Sequence, residues 1–280
     1  MSGTLYLVGV PIGNYGDMTF RAVDILNSVD VIAAEDTRRA RHLFTHFSIS
    51  PKRLVAYHAH NEHAAAEGLL NWLAEGKSIA VITDAGMPAV SDPGYLLAKT
   101  VVEKGYDLHV IPGVSASVTA LAASGLPSQT FSFIGFLPKT SAARQKELAK
   151  LAERTETLIF YESPRRIVDV LADMAAVLGQ GRGACLCREL TKTHEEFSRG
   201  TLQQLSDDYA NRAEVLGEIT LIVAGSNGKP AAITLDDVQA VIADMAAKGL
   251  SAKDIRDHIA TVYGIPKREA YAMVLEQAKA

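Results

Sequence analysis

Short apolar runs recur along the first half of this chain, with stretches of helical character between them. Residues 5–10, 29–34, 54–57, 79–82 and 108–111 are largely apolar over four to six positions, with Asp30 and His109 as the polar interruptions. Runs that short and that continuous suit strands buried on both faces. Helical periodicity is read at 19–27, 62–75, 95–104 and 115–124, where Leu69, Leu70 and Leu73 share one side of the second stretch. Such alternation predicts βα units and a largely parallel sheet, an α/β fold. The second half has strand runs at 131–136, 157–161, 184–188 and 219–224, with helices at 142–154, 167–178 and 201–211. A soft boundary near 126–129 divides the α/β region into two lobes, 1–126 and 127–228. Ser226-Asn227-Gly228-Lys229-Pro230 is linker-like, and the strand signal stops after it. Residues 229–280 form a small helical appendage with helices at 235–247, 252–262 and 267–279. Thr234 and Ser251 are expected N-caps, each with an aspartate three residues on (Asp237, Asp254). Gly249 and Gly264 sit just past helix ends.

The chain of 280 residues has room for two domains, or for one large domain and an appendage. Its net charge of −4 excludes an overall basic field, so nucleic acid binding must use local patches. From Leu108 to Pro138 there is no Asp, Glu, Lys or Arg. Pro112, Gly113, Gly125 and Pro127 break that stretch, and a buried strand–loop–helix is expected there rather than a membrane span. Cys185 and Cys187 are the only cysteines; their spacing puts both on one face of a strand. A zinc site needs four ligands and none is completed, so no metal is expected and the thiols are read as buried and reduced. Residues 4–10 already resemble a first strand rather than a secretory leader, and a cytoplasmic location is expected.

Three loops follow three of the apolar runs. The first is Gly9-Val10-Pro11-Ile12-Gly13-Asn14. The second, DAGMPAVSDPG, runs from Asp84 to Gly94, and the third is Pro112-Gly113-Val114-Ser115-Ala116. Glycines let backbone approach a ligand and prolines stiffen the rim. Each loop falls at the carboxyl end of a predicted parallel strand, where open α/β sheets bind ligands. Neither a Walker loop nor a GxGxxG motif is present. No Lys or Arg lies between Lys77 and Lys99, so a neutral or zwitterionic ligand with an apolar body suits these loops better than a polyphosphate.

Taken together, GVPIGN, DAGMPAVSDPG, IPGVSA and AASGLP resemble the tetrapyrrole-methylase superfamily, the class III S-adenosylmethionine-dependent methyltransferases. AEDTRR (34–39), HAHNE (58–62), YESPRR (161–166) and RELTKTHEE (188–196) are similar to its ribosomal RNA small subunit methyltransferase I branch. The resemblance spans about residues 5 to 226, and the helical tail also fits that branch. It implies two α/β lobes with S-adenosylmethionine in the cleft between them, and a homodimer. Carried over by position, it implies cofactor contacts from Pro11, Ile12, Asp84, Met87, Pro88, Ser115, Ala116, Tyr161 and Thr220. The implied reaction is methylation of the ribose 2′-hydroxyl of a decoding-centre cytidine in 16S rRNA, with the assembled small ribosomal subunit as substrate and partner.

Methyl transfer from a sulfonium needs the acceptor oxygen in line with the methyl group, and a ribose hydroxyl gains from a base or a nearby cation. Polar candidates are Asp36, Arg38, His58, Asn61, Glu62, Glu162, Glu189, Lys192 and Glu195. Among them Lys192 and Glu189 are expected to orient or deprotonate the hydroxyl, with Asp36 next. RNA phosphates need cations. Arg38, Arg39 and Arg41 form one basic run, Lys139, Arg144, Lys146, Lys150 and Arg154 line a predicted helix and its lead-in, and Arg165 and Arg166 follow the YES motif. Tyr6, Phe131, Phe133 and Trp72 are read as core. Two rivals stand beside this reading: a tetrapyrrole carbon methylase on the same scaffold, and a catalytically silent RNA-binding assembly factor.

Overall fold

The computed structural model describes residues 3–227, 235–247, 250–263 and 265–277. It divides into two compact units, Met1–Gly225 and Ser226–Ala280. Thr234, Gly249 and Gly264, expected to punctuate the tail helices, lie outside the described residues. Among the described residues no helix is long and apolar enough to cross a membrane.

Strands β1 (Thr4–Val8), β2 (Val31–Ala34), β3 (Leu54–Ala56), β4 (Ser78–Ile82) and β5 (Asp107–Ile111) form an all-parallel sheet in the order β3-β2-β4-β1-β5. Both faces of the central strands are covered, which is why β1, β2 and β4 are continuous apolar runs, whereas edge strand β5 is largely exposed. Val8, Ile32, Ala34, Ala80 and Ile82 pack with residues of α1 (Phe20–Ser28) and α2 (Thr37–Phe47). Leu5, Leu7, Val31, Ala33, Ile79 and Val81 pack with α3 (Glu62–Ala74) and α4 (Tyr95–Glu103). A fully buried side chain such as Leu97 contributes about 1.5–3 kcal/mol on this accounting.

A second, mixed sheet contains β6 (Phe131–Phe136), β7 (Thr157–Glu162), β8 (Gly183–Arg188), β9 (Glu196–Thr201) and β10 (Ile219–Val223), in the order β6-β7-β10-β8-β9. Only β6 and β7 run parallel. Helices α6 (Ser141–Leu151), α7 (Ile167–Leu178) and α8 (Leu202–Ala210) cover one face. The other face meets α5 (Ala116–Ser124). Ala120 and Leu121 of α5 pack with Ile159, Cys185, Cys187 and Ile222, and Ile12 of the first loop joins the same cluster. The two sheets are thereby tied through shared apolar contacts. Both thiols are buried and free, 3.7 Å apart.

Two elements depart from expectation. Residues 37–47 are helical, where only a basic run following a strand was read. Asp36 caps this helix, its Oδ1 accepting from the Arg38 amide at 2.8 Å, and Ala40, Leu43 and Phe44 supply its buried stripe. Strand β9 was missed because EFSRGT has no apolar run; it pairs antiparallel to β8 at a sheet edge. Phe131 is corrected as well: on edge strand β6 it is 46% exposed rather than core. Trp72 is half-buried, with the Arg53 guanidinium 4.7 Å over its ring.

In the second unit α9 (Leu235–Ala247), α10 (Ala252–Tyr263) and α11 (Lys267–Gln277) share a core of Val238, Ile242, Ile255, Ile259, Ala270 and Val274. Ser251 caps α10, its Oγ accepting from the Asp254 amide at 3.2 Å.

Candidate functional site

The three Gly/Pro loops leave the adjacent strands β1, β4 and β5 at their carboxyl ends. They are stitched together. Val10 and Gly86 exchange backbone hydrogen bonds of 2.9 and 3.1 Å. Gly9 and Gly113 come so close that a Cβ on Gly9 would meet the Gly113 backbone at 2.7 Å and the Met87 sulfur at 2.6 Å. Only glycine permits that approach. In the second loop Ala89 and Ser91 adopt left-handed backbone, with φ of 65° and 63°. Such conformations are held against their cost by the surrounding structure and gather at functional sites.

Beside these loops lies the end of β2. The Glu35 carboxylate accepts from the Asp84 amide at 3.3 Å, and Asp84 accepts from the Asp36 amide at 3.1 Å. Arg39 pairs with Asp84 at 3.2 Å. Burial, helped by the charges of Glu35 and Asp84, pushes the Asp92 carboxyl up to about 6. Asp36 is fully engaged by Arg38, whose side-chain and backbone N–H groups hold it well below the usual carboxylate range. Its oxygens cap α2 and bind Arg38.

Lys192 and Glu189 reach the site from the second sheet. The Lys192 ammonium donates to Glu189 Oε1 at 2.9 Å and to Glu218 Oε2 at 3.1 Å. Burial disfavours its charge, but the two carboxylates outweigh that and raise its pKa. Glu189 resists the upward push of burial because Lys192 and the Glu218 amide hold it low. The pair is therefore ionised at neutral pH. Its loop is strained, with Glu189 at φ 51° and Thr191 at φ 66°. A Cβ on Gly13 would lie 2.5 Å from Lys192 Cγ, so the Lys192 stem crosses directly over the first loop. The Thr191 amide is fixed by Glu195 at 2.7 Å.

A cavity of about 400 Å³ opens here, lined by Val10 to Gly13, Thr83 to Ala85, Tyr15, Glu218 and the Arg39 and His42 side of α2. Pro11, Ile12 and Asp84 line it, whereas Met87, Pro88, Ser115, Ala116, Tyr161 and Thr220 do not. Tyr161 stands edge-on to Phe133 and Phe136, at 4.9 and 5.8 Å. Burial raises its hydroxyl pKa against the hydrogen bond to Ser117, and Ser117 in turn pairs with Ser115 at 2.9 Å. Thr220 is buried in β10, in register with Tyr161.

The basic candidates separate by burial. On α2 the Arg38 and Arg39 side chains are 84% and 69% exposed, and Arg41, Lys146 and Arg165 are exposed too. Arg144 is a correction. Its side chain is 4% exposed and paired with Asp173 at 2.6 Å, so it cannot meet a phosphate. Arg166 is also committed, donating to the carbonyls of Leu137 and Pro138 at 3.0 and 3.1 Å and lying 3.2 Å from buried Glu162. The HAHNE stretch is a brace: Glu62 Oε1 accepts from the Tyr57 hydroxyl and the Gly94 amide, both at 3.0 Å. Tyr15, His42, Glu218 and Asp92 escaped sequence reasoning. Tyr15 and Asp92 lie beside or within the loops already marked but carry no motif of their own, whereas only the fold brings His42 and Glu218 to this place.

The family model described as tetrapyrrole (corrin/porphyrin) methylases matches residues 4–206. The ribosomal RNA small subunit methyltransferase I of Halalkalibacterium halodurans is 46% identical over 273 residues, spanning 96% of this chain and 93% of its own length. The protein of that name from Escherichia coli O157:H7 is 42% identical, over 98% of this chain and 96% of its own. Among solved structures, the uroporphyrin-III C-methyltransferase of Thermus thermophilus complexed with S-adenosylhomocysteine superposes with a TM-score of 0.56 at 19% identity. That match covers 79% of this chain and 97% of the other; likeness at that identity speaks for the fold.

Proposed function

Because the chain belongs to the tetrapyrrole (corrin/porphyrin) methylases, and within them to the ribosomal RNA small subunit methyltransferase I family, we propose that it methylates a ribose 2′-hydroxyl of 16S rRNA. The acceptor is a decoding-centre cytidine in the assembled small subunit, and the reaction takes place in the cytoplasm. The observation that carries this reading is the meeting at Gly13. There an ionised Lys192–Glu189 pair lies over a loop whose neighbours form a close-packed backbone cradle. A tetrapyrrole carbon or nitrogen acceptor has no use for that pair.

S-adenosylmethionine fits the cradle. Gly9 and Gly113 leave no side chain between their backbones, no Lys or Arg lies on the second loop, and Tyr161 with Ser115 offers an aromatic face beside hydroxyls. Pro11, Ile12, Asp84, Met87, Pro88, Ser115, Ala116, Tyr161 and Thr220 would hold it. When bound, it supplies a methyl group on a sulfonium, so the bond made is oxygen to methyl and the bond broken is sulfur to methyl. The chain's own contribution is positional. Lys192, protonated, cannot be the base. Two of its three N–H donors go to Glu189 and Glu218, and the third holds the ribose oxygen. As the new bond forms, the hydroxyl proton becomes strongly acidic, so Glu189 suffices as its acceptor although its basicity is low. Arg38, Arg39 and Arg41 contact the RNA backbone.

The reading also includes a homodimer. Strands β5 and β6 are open sheet edges, and Val110, Val118, Phe131 and Phe136 nearby are 46–61% exposed. Apolar surface of this kind at unpaired edges favours burial against a second copy.

The test is transfer of label from S-adenosylmethionine to small subunits isolated from cells lacking the enzyme, with free rRNA and a porphyrinoid alongside. Label at an alkali-resistant linkage of the subunit RNA is expected. Label on the porphyrinoid alone would overturn the substrate, and failure to bind S-adenosylhomocysteine would overturn the activity.

A further inference from the structure

Tyr15 directly follows the first loop and is not buried. It begins a single 3₁₀ turn, Tyr15–Asp17, that buries none of its residues. The turn is nonetheless fixed, because Asn14 Oδ1 accepts from the Gly16 amide at 2.9 Å and the Asn14 carbonyl accepts from Asp17 at 3.0 Å. The Tyr15 ring leans on His46, centroids 4.3 Å apart, and meets the edge of Phe47 at 5.8 Å. Braced in this way it is still 43% exposed and lines the 400 Å³ cavity. A half-exposed aromatic held rigid by two other rings loses little freedom when a flat ligand lies against it. The cavity is within the size range of small-ligand sites, roughly 300–1,000 Å³. Arg39, with a side chain 69% exposed, forms another part of its wall, and its guanidinium has five N–H donors, of which Asp84 engages one side. Pro11, Ile12 and Asp84, named above for the cofactor, form the wall that this cavity shares with the cofactor loops, with Gly13 under the Lys192 stem.

We propose that this cavity receives the acceptor nucleotide itself, extruded from the RNA, with its base stacked on Tyr15, its phosphate on Arg39 and its ribose toward Lys192. The inference rests on the ribosomal RNA reading above and deepens it. It follows from chemistry that applies to any single-stranded target: bases are recognised when splayed out and stacked on aromatic rings. Extrusion from its neighbours frees the base face for stacking and lets the protein close around the sugar. Tyr15 is thus a substrate-contacting residue distinct from the cofactor set.

The test compares Tyr15→Ala, Tyr15→Trp and Arg39→Gln with the unaltered protein in steady-state methyl transfer to isolated small subunits. Tyr15→Ala is expected to raise KM for the subunit roughly tenfold to a hundredfold. KM for S-adenosylmethionine and the affinity for S-adenosylhomocysteine stay unchanged, the latter also reporting that the variant is folded. Tyr15→Trp keeps most of the activity because it keeps the stacking face. Salt dependence separates the two residues: Arg39→Gln lowers the slope of log affinity against log salt by about 1, whereas Tyr15→Ala leaves it alone. An unchanged subunit KM in Tyr15→Ala overturns the proposal. So does a raised KM for S-adenosylmethionine, which would assign the cavity to the cofactor. If the unaltered protein puts no label on subunits while still binding S-adenosylhomocysteine, the RNA reading has failed and this inference falls with it.

Discussion

A single side chain decides several of the site's properties. Lys192→Gln leaves Glu189 and Glu218 facing the site without their shared cation. The rate of transfer should fall about 10²-fold or more, with S-adenosylhomocysteine affinity, measured by calorimetry, held near its original value. Gly13→Ala acts on the same contact from the other side. A methyl group 2.5 Å from Lys192 Cγ has to displace the stem, and a shift of about 1 Å can cost about 10²-fold in rate. Asp92 gives a pH signature. Its carboxyl is raised by burial to about 6 from an ordinary value near 3.8, so the folded state binds the proton more tightly than the unfolded chain does. Its contribution favours folding fully below about pH 4 and is lost as pH rises through 6. Asp92→Asn should therefore be the more stable protein at pH 7.5, and its advantage should vanish near pH 4 in urea titrations.

At the scale of the element, Arg144 shows how a charge pattern misleads. The helix 141–151 carries Lys146 and Lys150 on its surface, but Arg144 turns inward to Asp173, which Gln145 and Ser141 also bind. Arg144→Met strands that carboxylate and should cost about 3–5 kcal/mol of stability by denaturant titration, without altering the salt dependence of subunit binding. Nothing in the spacing of RQKELAK distinguishes a buried arginine from an exposed one. The central strands of the first sheet were legible because both their faces are covered, which leaves a continuous apolar run. β9 was not, since an edge strand gains its order from pairing with β8 and can be polar. α2 carried a readable signal in Asp36 followed by Ala40, Leu43 and Phe44, a cap and a stripe, which the arginines between them obscured. Glycine and proline alone marked the loops as candidates for holding a ligand. Their ligand was not, because a backbone cradle writes no charge into the sequence. Glu218 could not be found at all, being distant in sequence from the loops it joins, and Tyr15, though it directly follows the first loop, carries no signal of its own.

For the molecule as a whole, open edges at β5 and β6 predict association. Replacing Phe131 and Phe136 together by serine should shift the mass measured by light scattering from two copies toward one, while the variant keeps the circular dichroism of the unaltered protein. The order of synthesis adds another consequence, carried by α5. By the time residue 126 has been made, the first sheet has all five strands and its four flanking helices, and can close. Yet much of the cluster that Ala120, Leu121 and Ile12 join, Ile159, Cys185, Cys187 and Ile222 among it, emerges tens of residues later. A nascent chain of this protein thus carries a finished half with one bare greasy helix, and waits. Such a half is the kind of species that aggregates or recruits a chaperone. A fragment ending at residue 126 should bind a hydrophobic dye that the full chain excludes, and release it when residues 127–225 are supplied.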